Sequence, residues 1–110
     1  MTITFEARPT PGGKLALKAT DASGLSTKTK YVVGGYRFYV VSARASKWTW
    51  EGGEPFLKDS LSVTVDKRTG SKETAMREFK KGGPNTAVLW KAPDGSYVLA
   101  ARGKGIAAPE

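Results

Sequence analysis

Cysteine and histidine are both missing from this 110-residue chain. Without cysteine there are no disulfides, thiolate metal sites or cysteine nucleophiles. Without histidine the commonest general base, the commonest zinc ligand and the physiological pH switch are gone. Ser-His-Asp and HExxH chemistry is excluded. The carboxylates Glu51, Glu54, Asp59 and Asp66 are scattered over loops and strand ends without nuclease spacing. The expectation is a chain that is not an enzyme and holds no metal or cofactor.

Long apolar runs are also missing. Phe38 to Ala43 is typical before a charge interrupts, far short of the roughly 20 residues that span a bilayer. Met1 to Arg8 has neither a basic leader nor an apolar core of signal-peptide type. These features predict a cytoplasmic protein with no membrane contact.

Acidic residues are scarce. Lys and Arg total 18 against 10 Asp and Glu, a net charge of +8, which favours polyanionic partners and says nothing about fold. From Ala22 through Trp50 there is no carboxylate at all. That stretch carries Lys28, Lys30, Arg37, Arg44 and Lys47, interleaved with Tyr31, Tyr36, Phe38, Tyr39, Trp48 and Trp50. Single-strand binders combine cations that neutralise phosphate with rings that stack on bases. Tyr36 and Phe38 read as core residues within a strand. Trp48 and Trp50 alternate on a basic strand and suit a stacking platform. The predicted nucleic-acid-binding set is therefore Lys28, Lys30, Arg37, Arg44, Lys47, Trp48 and Trp50, with DNA or RNA as partner. The same Trp, Tyr and Arg composition also suits a protein hot spot. The alternative is a small interaction module, an inhibitor or assembly subunit, docking on an acidic protein surface.

The hydrophobic pattern is mostly period two, the mark of half-buried strands. Ile3, Phe5 and Ala7 alternate with polar residues, as do Leu15, Leu17 and Ala19 after the Pro9–Gly13 break. Tyr31–Val33 resumes the β pattern, and Gly34-Gly35 interrupts it. Tyr36 to Ala43 is apolar on both faces, which predicts a central strand. Trp48 and Trp50 lie on a further strand, which the Gly52–Pro55 turn ends. Leu61, Val63 and Val65 form another, with Lys67 to Gly70 leading out of it. Thr86–Lys91 and Ser96–Arg102 flank a Pro93-Asp94-Gly95 turn.

One helix is predicted over 72–81. Ser71 caps it, Glu73 complements its N-terminus, Ala75, Met76 and Phe79 form its apolar stripe, and Gly82-Gly83-Pro84 stops it. Arg68, Ser71 and Lys72 at the helix start form a candidate anion site. The predicted fold is α+β, a β-rich antiparallel sheet or small partly open barrel with one short helix. The predicted organisation is a single domain over 1–102 and a flexible tail over 103–110.

Overall fold

In a computed structural model of the chain, residues 3–22 and 24–107 are described, with the side chains at 45–51 and 54–60 outside that description. The elements are β1 (Ile3–Pro9), β2 (Lys14–Asp21), β3 (Lys30–Val33), β4 (Phe38–Glu51), β5 (Glu54–Thr69), α1 (Lys72–Lys81), β6 (Thr86–Lys91) and β7 (Tyr97–Arg102). They form two open sheets ordered β1-β2-β3 and β5-β4-β6-β7, with antiparallel neighbours throughout. The fold is α+β and β-rich, as the alternation predicts. The barrel alternative is not realised, because each sheet keeps two edges.

Side-chain alternation assigns the layers. Ile3, Phe5, Leu15, Leu17 and Ala19 of the first sheet meet Tyr39, Val41, Ala43, Leu61, Val63, Ala87 and Leu89 of the second. On the other face of the second sheet, Phe38, Val40 and Val88 meet the helix at Ala75. The second sheet is thus the middle of three layers. This explains why the start of β4 is apolar on both faces. Ala75 is the residue of the helix stripe that is fully buried, with Met76 and Phe79 partly buried beside it. A small side chain is what lets the helix approach the sheet closely.

Three expectations need correction. Tyr36–Ala43 and Trp48–Trp50 are not separate strands: Phe38–Ala43 and Trp48–Trp50 lie on one 14-residue strand, which Tyr36 and Arg37 precede. Lys67 to Thr69 does not lead out of β5 but belongs to it. Residues 103–107 are not a frayed tail. Ile106 is 1% exposed and enters the inter-sheet core. Gly105 accepts from the Ile3 N–H and Ile3 accepts from the Ala107 N–H, both at 2.8 Å. Arg102 Nη1 donates to the Ile106 carbonyl at 3.0 Å. One isoleucine in a polar stretch has no periodicity to reveal it; the open end of the two-sheet core is what recruits it. Residues 108–110 lie outside the described residues.

Gly34 is where the chain leaves one sheet for the other. Its N–H donates to the Gly13 carbonyl at 3.1 Å. A β-carbon at Gly34 would stand 2.5 Å from that oxygen, so this approach admits no side chain.

Among the described residues, no helix is long and apolar enough to cross a membrane.

Candidate functional site

The crossover from β3 to β4 gathers aromatic and basic side chains from three segments. Tyr39 is its anchor. The register pairs Tyr39 with Leu89 on one side and Arg68 on the other, and its alternation turns the ring into the inter-sheet core, where it is 0% exposed. Its hydroxyl accepts from the Tyr36 N–H at 3.3 Å and donates to the Val33 carbonyl at 2.8 Å. One phenol thereby pins both sides of the crossover to the second sheet. Burial pushes the Tyr39 phenol up to about 12, because a phenolate has no water to solvate it there. The rings of Tyr36 and Tyr97 meet Tyr39 edge to face, at 5.9 and 5.7 Å.

Tyr36 is a correction to its reading as a core residue. It is 37% exposed, because it precedes the strand and sits outside the layer that buries Phe38. The Arg68 guanidinium lies over the Tyr36 ring, 5.4 Å from its centroid, a cation–π arrangement. On the other flank the Lys91 N–H donates to the Arg37 carbonyl at 2.9 Å. Arg37, Trp90 and Lys91 line one groove of about 490 Å³, with Gly35, Ala92 and Pro93. Trp90 pairs with Phe38 and is partly exposed. Among the described residues, no carboxylate lines this groove. The carboxylate on the adjoining turn, Asp94, is engaged locally: the Ser96 hydroxyl and N–H donate to it at 2.6 and 2.9 Å and hold it below the usual carboxylate range.

The other predicted residues are distributed elsewhere. Lys28 and Lys30 come together, lining a groove of about 600 Å³ with Leu25 and with Leu61, Ser62 and Val63 of β5. Arg44 lines a third groove near the helix C-terminus, where Asp66, Glu78 and Lys81 make the charge mixed. Among the described residues one ion pair forms, Lys81 with Glu78 at 3.8 Å. The side chains of Lys47, Trp48 and Trp50 lie outside the described residues. Their backbone register is described, and it pairs Trp48 with Leu57, Trp50 with Pro55 and Glu51 with Glu54. Ten residues separate Phe38 from Trp48, about 33 Å along a strand. The predicted single basic stretch is therefore opened out along β4, and hairpin pairing returns carboxylates to its far end.

The predicted anion site is also divided. Ser71 acts as the cap, its Oγ accepting from the Thr74 N–H at 3.3 Å. Lys72 is exposed in the first turn, while Arg68 is drawn to the Tyr36 ring. Trp90 and Lys91 fall outside the predicted set. Leu89-Trp90-Lys91 reads as ordinary strand sequence, and nothing local links it to Arg37, 53 positions before Trp90.

No protein-family model matches the chain, and neither the curated proteins nor the solved structures contain a match.

Proposed function

We propose that the chain is a small nucleic-acid-binding protein that uses the crossover end of the second sheet. The observation that carries this reading is the groove in which Arg37 and Lys91 flank the partly exposed Trp90 ring, with no carboxylate among its described lining residues, together with the Arg68 guanidinium over the exposed Tyr36 ring at the same crossover. Cations neutralise phosphates and release counterions, while the partly exposed rings offer faces to bases, each stacked base worth about 1–3 kcal/mol. Lys28 and Lys30 add a second basic groove. The net charge of +8 draws a polyanion in from a distance.

The test is a titration of the full chain with single- and double-stranded oligonucleotides at about 0.15 M salt. The expected dissociation constant lies below the non-specific range of about 10⁻⁴–10⁻⁶ M. Arg37→Ala with Lys91→Ala should weaken binding to every sequence. With two phosphates no longer neutralised, the salt slope should also fall by about 1.4–1.8. Lys104→Ala is the control, a cation outside the groove. Affinity no tighter than the non-specific range, or an unchanged slope, returns the chain to the alternative of a module that docks on an acidic protein.

A further inference from the structure

The first sheet turns one face to the inter-sheet core, where Leu15, Leu17 and Ala19 are buried. The alternate positions point the other way. Thr4, Glu6 and Arg8 on β1, Lys14 on β2, and Tyr31 and Val33 on β3 are exposed on this outer face, with Ala16, Lys18 and Thr20 half-buried between them. Tyr31 is 61% exposed and Val33 57%. They are the two most exposed large apolar side chains among the described residues.

Strand register sorts this face into rows. Arg8 pairs with Ala16, and Ala16 pairs with Tyr31, so the three stand side by side across about 10 Å. Lys14, opposite Val33, lies one row to one side. Lys18, opposite Glu6, lies one row to the other. Three cations thus surround the row that carries the ring, against one carboxylate. Ala16, the small residue between Arg8 and Tyr31, leaves room for a flat group beside the ring. Lys14 and Lys18 are about 13 Å apart along β2. The Lys14–Val33 row also adjoins the crossover, because the Gly34 N–H that follows Val33 donates to the Gly13 carbonyl that precedes Lys14. Beyond it Tyr36 is the next exposed ring.

We propose that the outer face of the first sheet is a platform for single-stranded nucleic acid, on which an unpaired base stacks against Tyr31 over Ala16 while Arg8, Lys14 and Lys18 take the neighbouring phosphates. The proposal rests on the nucleic-acid reading of the crossover and carries the bound strand from Tyr36 onto this face. Charge selects the occupant: cations around an exposed ring match phosphates around a base. Stacking selects the single strand, because a duplex keeps its bases inside the stack and out of reach of a ring.

The experiment is a fluorescence-anisotropy titration of the full chain with labelled single-stranded oligothymidylate and with a labelled duplex of the same length, at about 0.15 M salt. Wild type should prefer the single strand. Tyr31→Thr keeps a strong strand former and removes the ring. It should weaken single-strand binding by about tenfold, the loss of one stacked base, and leave duplex binding and far-UV circular dichroism unchanged. Tyr31→Phe, which keeps the ring, should bind like wild type. Lys14→Ala with Lys18→Ala should lower the single-strand salt slope by about 1.4. A preference for the duplex, a Tyr31→Thr variant that binds the single strand like wild type or loses both ligands alike, or a phenylalanine that fails to rescue would each overturn the platform. If Arg37→Ala with Lys91→Ala weakens binding while Tyr31→Thr does not, the platform fails and the crossover reading stands. A wild type that binds neither oligonucleotide would overturn both.

Discussion

Phe38 to Ala43 and Arg44 to Glu51 are consecutive halves of one strand, and both mix rings with small and basic residues or aliphatics. The first half lies between a sheet and a helix, with a strand on each side. The second half has one strand beside it. Similar local sequence therefore ends in two environments. At the inner end a phenol is fully buried, and cations lie around the crossover beside a groove with no carboxylate among its described lining residues. At the outer end hairpin pairing places Glu51 against Glu54, and the charges of residues 44–60 cancel. Composition along the chain suggests one basic aromatic surface, but the strand's length divides it into two regions with different surroundings.

The largest effect that would sharpen this contrast is on stability. Leu17 is 0% exposed and packs in the core that holds the inner half of β4. Leu17→Ala should cost about 2–5 kcal/mol, as other buried leucine truncations do. Arg44→Ala, in the outer half and exposed, should stay within about 0.5 kcal/mol. Urea unfolding of both variants checks the pair. Comparable losses would mean that the outer half is as much a part of the folded core as the strand's inner half.

A smaller effect is expected at the crossover. Tyr39→Phe removes the donor to the Val33 carbonyl and the acceptor for the Tyr36 N–H. A cost of about 1–2 kcal/mol is expected for backbone groups left without their partner. A urea midpoint equal to wild type would show that the hydroxyl does not tie the crossover to the second sheet.

The smallest effect lies in pH. The Tyr39 phenol ionises at about 12 in the fold, against about 10 in an unfolded chain. Its neutral form is the one the fold favours. Its contribution to stability is therefore fully present below about pH 10 and is lost as pH rises from there through about 12. Ultraviolet titration of tyrosinate should show one late-ionising tyrosine that disappears in Tyr39→Phe. If every tyrosine ionises near the ordinary value of about 10 while the chain is still folded, the inner end of β4 is wetter than its packing implies.

Much of the architecture is legible in the sequence because it follows from local rules. Period-two alternation places Ile3, Phe5, Leu15, Leu17, Leu61 and Val63 on the buried faces. The Ser71 cap with Gly82-Gly83-Pro84 bounds the helix at the residues where it begins and ends. The candidate site is only partly legible. Charge and ring composition identify Arg37, but Lys91 and Trp90 are brought beside it by strand pairing, and pairing with Tyr39 is what brings Arg68 to the Tyr36 ring. The pull of Arg68 to the Tyr36 ring, away from the helix start, depends on which side of β5 faces the crossover, and one irregularity in the register between Val40 and Val41 is enough to alter that.

By itself, then, the sequence determined what each segment prefers: which residues alternate, where the helix is capped, where glycine and proline turn the chain, and that the whole is basic and free of thiol and imidazole chemistry. Those properties come from neighbours a few positions apart. Tertiary structure alone decided which segments share a surface. It set Trp90 and Lys91 beside Arg37, drew Ile106 into the core and left half of β4 with a single partner. Each of these outcomes depends on pairing between segments far apart in sequence. Such pairing is chosen by the total burial and hydrogen bonding of the folded chain, a quantity that no local window contains.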